Sequence, residues 1–586
     1  MEFKMVKSSF SRITSLTLLA LLGTFNFTGC GHTRSVRLQA RDDLENGKLI
    51  EAEQKLISKD VVSEAKSRFL TLVELGTVAH TAGDYEKSQL FFEKAREMAA
   101  KLYTTSATEK AATFIFNDNS QTYPGLDYEV SMVHYFLVMN NLMMYQEGKV
   151  KAWEMPLIQE DGKTIFDARK VVERLLDRKQ ANELLSRARA DVLAWDSILE
   201  VVRQKNRGQA AYKDDIGSKM LAAFVHRTVA TPSDLGTARI LYQNAADLMI
   251  KSYAMFPTFN SAYGKYVAQY ASLPSMKESE LKGGVIQPTA KYDALEKYIH
   301  FSSERVAKKE GNTLVILESG MIPEKKEKVY NVGLGSVING IEDRTTREIV
   351  TFIGAEVLIN FAPMILVAGV IEESIDQEED RKNGVSDRDS RDGYKAINRG
   401  IDKAVGFKFK LPYIAKLPND VEYKVVLTAM DGKKIEVPTV VVDPVGDFAW
   451  NEVDQKSSSV NVKTGVRVGL KYLIPLISAY KTYTNLKANA GEFLASTAAT
   501  AVWIAGKKVV DATESADIRA WNMLPQNICM MEAQIPAGKY TVAAVGSRAS
   551  ETWNIDLGHF EVDGTRKNFL KKRVFYMPKA LSAQKN

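Results

Sequence analysis

The chain has 586 residues, 45% of them hydrophobic, with two cysteines, six histidines and a formal net charge of +6. So small a surplus over so long a chain argues against nucleic acid as a partner, and two cysteines exclude a disulfide-held fold. The length and apolar content allow several packed domains.

Residues 1–12 carry Lys4, Lys7 and Arg12 against one acid, Glu2, and an apolar stretch runs from Ile13 to Phe27. A positive start before an apolar segment too short for a comfortable span reads as a secretory signal. The stretch ends in Phe27-Thr28-Gly29-Cys30, which resembles the lipobox of bacterial lipoproteins. That resemblance implies a signal peptide over 1–29, cleavage before Cys30, and a diacylglycerol and N-acyl chain on that cysteine, with no other cofactor. Residues 30–35 would form a lipidated tether. Each buried acyl CH₂ contributes ~0.8 kcal/mol, enough in sum to anchor the chain without a spanning helix. Gly31 stands where an inner-membrane retention Asp would be read, so in a diderm the resemblance points to the outer membrane, facing the periplasm. An ordinary signal peptide, or a membrane anchor, with an incidental cysteine is the plainer alternative.

From about Arg37 to Leu273 apolar residues recur every three or four positions, a helical period. Leu72, Leu75, Gly76, Ala79, Gly83, Tyr85, Ser88, Phe92 and Ala95 fall where a tetratricopeptide (TPR) repeat places its packing residues. Small residues at Gly76 and Ala79 would let two helices approach, Gly83 would turn the chain, and Phe92 would fill the gap. Ala238, Tyr242 and Ala245 repeat the second-helix spacing, and "YEVSMVHYFLVMNNL" is a more degenerate candidate. One repeat cannot bury its apolar face alone, so a TPR-like solenoid over 36–275 is expected; a plain helical bundle is the alternative.

Near Gly311 the pattern changes. Residues 276–340 read as a linker and first strands, with Thr313 to Glu318 a short apolar strand. Asp431-Gly432 separates two strand-like runs as a hairpin, and Pro536-Ala537-Gly538 and Asp563-Gly564 read as turns of two further hairpins. Residues 341–405 read as an apolar helical insertion and a polar mobile loop. The insertion runs from Ile349 to Ile371, long enough to span a membrane but interrupted by Glu356 and Pro363. It reads as a buried helical hairpin, with membrane-surface contact and spanning as alternatives. Residues 406–586 form a β module with a helix pair near 473–510. The expected class is therefore multidomain α+β, a helical solenoid followed by a β-sandwich-like region with helical insertions.

No chemistry stands out. None of His32, His80, His134, His226, His300 and His559 has a second ligand at HExxH spacing, and no GxSxG elbow occurs. Gly333 to Gly340 lacks the lysine of a phosphate loop. Counted from Asp387, the fifth loop position is Arg391, which breaks the calcium-loop pattern of Asp387, Asp389 and Asp392. Cys529 lies among Ile528, Met530 and Met531 and reads as core. No catalytic or metal-binding residue is assigned.

Three blocks, "YPGLDYEVSMVHYFLVMNNL", "GNTLVILESGMIPEKKEKV" and "SADIRAWNMLPQNICMMEAQIPAGKYTV", resemble a family of large, poorly characterised bacterial lipoproteins with N-terminal TPR-like helices and a C-terminal β module. The third block carries Asp517, Arg519, Trp521, Leu524, Pro525, Pro536 and Gly538 in the family's order, while residues 341–405 look like an enlargement. The resemblance implies no catalytic residues. Read on their own, Asp517 and Arg519 share a face and could pair, and Trp521 with Leu524-Pro525 would anchor the entry to the C-terminal sheet; Arg519 beside Trp521 could also stack on sugar. The expectation is a non-catalytic envelope protein, held by lipid, that binds protein or peptide partners in envelope assembly or maintenance. The alternatives are a module for peptidoglycan or envelope polysaccharide, and a glycan-acting hydrolase.

Overall fold

The computed structural model describes residues 28–104, 121–160, 163–205, 212, 214–251, 256–258, 311–332, 407–416, 421–548 and 551–575. The protein is a multidomain α+β chain with helices gathered first and strands mostly after them. The expected signal peptide therefore falls almost wholly outside the described residues, as do His300, Gly333 to Gly340 and all of 341–405 with its apolar stretch and polar loop.

Helix α1 spans Thr28–Glu45. Thr33, Arg37, Ala40 and Leu44, three or four residues apart, are buried. The expected tether of residues 30–35 is thus the start of a docked helix. Short helices α2 (Leu49–Leu56) and α3 (Lys59–Val62) lead into α4 (Arg68–Ala82), α5 (Tyr85–Thr104) and α6 (Asp127–Glu147). Helix α4 ends at Gly83, whose φ of 79° is a left-handed C-terminal cap that glycine adopts without strain. The α4–α5 contact is as close as its small residues suggest: a Cβ on Gly76 would stand 2.8 Å from the Phe92 ring. Gly76→Ala is accordingly expected to cost about 1–3 kcal/mol through overpacking, read as a lower urea midpoint with an unchanged slope.

After α6 the uninterrupted helix expected from periodicity gives way to strands. Strands β1 (Lys149–Val150), β2 (Trp153–Met155), β3 (Ile158–Glu160), β4 (Lys163–Phe166), β5 (Arg169–Val171) and β6 (Arg174–Leu175) pair as β1–β6, β2–β5 and β3–β4, one nested antiparallel hairpin. Trp153 and Met155 are buried while Glu154 between them is exposed, the two-residue alternation of a strand. Helices α7 (Arg178–Lys205), α8 (Ile216–Val229) and α9 (Pro232–Lys251) follow, packed as neighbours.

Strand β7 (Thr313–Ser319) is flanked by β13 (Asn527–Ala533) antiparallel and β16 (Asn568–Val574) parallel, with β12 (Val440–Asp443) beside β13. Every residue of β7 is buried, which explains its almost unbroken apolar sequence. Leu314 and Ile316 join the helices' apolar core, whereas Leu317, Cys529 and Val574 meet Ala544 of a second sheet. That sheet orders β11 (Lys434–Pro438), β10 (Glu422–Ala429), β14 (Gly538–Arg548) and β15 (Glu551–Val562). Asp431-Gly432 joins β10 and β11 as a hairpin. The other two turns differ from expectation. Pro536-Ala537-Gly538 and Asp563-Gly564 each carry the chain from one sheet to the other, so the strands beside them do not pair. Turn residues fix a reversal, but side-chain faces choose the partner. The first five residues of β13 are all buried, while β14 alternates and suits a sheet with one face outward.

Helix α10 (Val445–Thr513) leaves the body as a long arm. Its helical backbone breaks at Gly491, where φ is 80° and ψ 165°. The helix pair expected near 473–510 thus begins earlier, and its second limb folds back along the first. Lys471 meets Glu514 at 2.6 Å, Tyr472 bonds Asp511, and Tyr483 bonds Glu492 at 3.2 Å. Strands β8 (Lys325–Val332) and β9 (Phe407–Ile414) form a ribbon beside the lower arm, where the Lys408 amide donates to the Tyr472 hydroxyl at 3.3 Å.

Candidate functional site

Helix α6 is buried on every side from Asp127 to Tyr145, and two polar clusters form around it. In the first, Glu318 ends the apolar run of β7 with none of its side chain exposed. Lys571 of β16 lies 3.5 Å from its carboxylate and Arg573 3.7 Å; the Tyr135 hydroxyl donates to it at 2.8 Å. Burial alone would raise the Glu318 pKa, but Lys571, His80 and Arg573 outweigh burial and hold it below the usual carboxylate range. His80 of α4 shares a 2.6 Å hydrogen bond with Asn140, whose amide donates to Ser88, whose hydroxyl donates to the Gly76 carbonyl. Burial, then the Lys571 charge, push the His80 imidazole down to about 3. Burial, then Arg96, do the same to His134, also to about 3.

Both histidines are therefore neutral in the fold and protonated in the unfolded chain below pH 6.5. A group with a depressed folded pKa contributes stability that is present above its unfolded pKa and is lost as pH falls toward the folded one. The two histidines together contribute a loss of stability from pH 6.5 toward 3, of up to ~1.4 kcal/mol per pH unit each, set against the opposite slope of the raised carboxylates Glu74 and Asp215. Urea titrations over that range should show the slope, and His80→Gln/His134→Gln should flatten it.

The second cluster joins the two halves of the chain. Glu129 of α6 accepts from the Trp521 amide at 2.7 Å, the Leu126 amide at 2.9 Å and the Tyr123 hydroxyl at 2.7 Å. The Trp521 ring is fully buried, tilted against the stacked pair Phe92 and Phe136 with centroids 5.7 and 5.5 Å away, and its Nε1 donates to Thr77 at 3.0 Å. Asp517 and Arg519 pair at 2.7 Å, as their spacing predicts. Arg519 also donates to the Gln121 carbonyl at 2.9 Å and lies over the Tyr123 ring. Trp521 thus anchors this segment into the helices rather than into the sheet, and a buried indole offers no face to a sugar. Leu524 is buried and its carbonyl accepts from Ile322, with Pro525 next to it; Pro536 accepts from the Tyr540 hydroxyl, and Gly538 starts β14.

The TPR-type positions separate into two groups. Leu72, Leu75, Gly76, Ala79, Gly83, Ser88, Phe92 and Ala95 are buried where α4 meets α5, with Tyr85 half-buried against His80. Ala238, Tyr242 and Ala245 are fully buried on α9, where Tyr242 bonds Glu532 of β13 and accepts from Arg227 at 3.3 Å. Cys30 lies in the first turn of α1. Sequence reasoning missed Glu129, Glu318, Lys571, Arg573 and Glu532. A single acid closing the run "TLVILE" was the one available sign that a buried carboxylate needed a distant cation.

The Glu129 and Glu318 carboxylates at the centres of the two clusters are both fully buried. Among the described residues no group of three His, Cys, Asp or Glu side chains is arranged to hold a metal ion. Cys529 is buried, its thiol pushed up to about 12 mainly by burial, which leaves it protonated and unreactive. His226 is bonded to Asp234 at 2.7 Å and His32 to Asp60 at 3.1 Å. Among the described residues no helix is long and apolar enough to cross a membrane. No protein family, curated protein or solved structure matches the chain.

Proposed function

We propose that the chain is a non-catalytic, lipid-anchored bacterial envelope protein that binds partner proteins, exported and held by acyl chains on Cys30. On this reading the successive helix pairs are a TPR-like solenoid, the two facing sheets a β-sandwich, and the chain a relative of the lipoproteins its three blocks resemble. One observation supports binding over chemistry: groups with shifted pKa values around α6, among them His80, Glu129 and Lys571, are sealed inside the body. Perturbed groups in an open cleft would have favoured an enzyme.

The inner surface of the helix pairs is filled by this chain's own Trp521 and β7, so the partner surface belongs on the outer helices. Ala190, Leu193, Ser197 and Val201 form an exposed stripe on α7, and exposed Ile240 lies on α9, which Arg189 of α7 ties in through Asp234 at 3.0 Å. Removing the helices would uncover the apolar face of β7, so point variants are the proper test. Purified from mild detergent, the native protein should bring down a discrete partner that Leu193→Glu/Val201→Glu loses by at least about tenfold. Equal recovery by both would refute this surface.

A further inference from the structure

The upper arm of α10 is unlike the rest of the surface. Its returning limb has no charged side chain from Phe493 to Gly506, and Phe493 and Leu494, next to the Gly491 fold, are 82% and 58% exposed. Ala501, Ala505 and Val509 continue the exposed apolar face. Toward the tip stand exposed Lys481 and Lys487, the latter 3.7 Å from Glu492; exposed Lys508 lies farther down the returning limb, and Lys471 and Lys507 pair with Glu514 and Asp511. Protein interfaces are depleted in lysine. An exposed apolar tip flanked by Lys481 and Lys487 instead suits the boundary between acyl chains and phosphate headgroups.

The arm also points the right way. Arg41 of α1 donates to the Ile322 carbonyl at 3.1 Å, and Arg34, nearer Cys30, to Lys325 at 3.3 Å. Moving toward Cys30 therefore follows the direction in which β8 leaves the body. The β8–β9 ribbon continues along α10, from Lys416 over Trp450 to Lys408 at Tyr472. The upper arm extends roughly 30 Å further at 1.5 Å per residue. The start of α1 and the lower arm thus flank the same β8–β9 ribbon, α1 where β8 begins and α10 along β9.

We propose that the tip of α10 seats on an anionic phospholipid surface, with Phe493 and Leu494 entering the acyl boundary and the lysines meeting lipid phosphates. This deepens the lipid-anchored reading and rests on it for the side on which the membrane lies. Two chains keep the readings apart. A chain beginning at Gly31, without acyl groups, is floated with phosphatidylcholine vesicles containing about one-third phosphatidylglycerol. It should bind, bind pure phosphatidylcholine much less, and lose affinity at least about tenfold in Phe493→Glu/Leu494→Glu, with unchanged circular dichroism. No binding, or equal binding by the variant, overturns the proposal, as does a dimer that the variant dissolves in place of vesicle binding. The full chain, expressed with Cys30 or Cys30→Ser, reports separately on the lipid anchor.

Discussion

Trp521→Ala is expected to lower unfolding stability by about 3–5 kcal/mol, the range for deleting a large buried aromatic. The indole packs against the stacked rings of Phe92 and Phe136, and α4 and α5 already meet closely at Gly76 and Phe92, which leaves little room to close over the void. The substitution should loosen both halves together, because the backbone at residue 521 also holds the buried Glu129 carboxylate. Hydrogen exchange would then show α5, α6 and β13 losing protection in one step; loss confined to residues 514–526 would mean the segment is only a surface strap. Trp521→Phe, which keeps a ring and drops the bond to Thr77, should cost far less, about 1–2 kcal/mol.

Glu318→Gln is expected to be comparably severe, by about 3–5 kcal/mol, because it strands two buried cations without an anion. The Lys571 and Arg573 side chains are 6% and 4% exposed, so water cannot take over from the carboxylate. Their pKa values are already depressed, first by burial, against which one shared carboxylate is insufficient. Glu318→Leu/Lys571→Leu/Arg573→Met should recover much of the loss, since apolar residues of similar size remove the desolvation cost with the pair. If Glu318→Gln melted like the native chain, the cluster would have to be wetter than its burial indicates.

Local features were legible in the sequence wherever neighbours in the chain decide them. The Gly83 cap, the Asp431-Gly432 hairpin, the apolar β7 and the pairing of Asp517 with Arg519 all depend on a few adjacent residues. The nested hairpin after α6 was not foreseen, although Asp161-Gly162 lies between β3 and β4 in the sequence, because long apolar periodicity on both sides masked its two-residue alternation. The partners of Glu129 and Glu318 were illegible for a different reason. The cations of Glu318 and the Trp521 amide that meets Glu129 come from hundreds of residues away, and nothing local says which strand will lie beside which helix. The same distance hid the destination of Trp521: an aromatic before Leu-Pro looks like an anchor, but not of what.

That dependence on distant residues has a consequence for the order in which the chain can fold. β16, the final described strand, lies parallel to β7 and brings both cations of Glu318. A chain emerging N-terminus first has its helices and β7 available long before residues 568–574 arrive. Until then Glu318 has no counter-ion and one side of the most apolar strand has no neighbour. Folding of this sheet must wait for β16, and an early stop before Asn568 would yield a sticky, protease-sensitive chain, not a smaller native one.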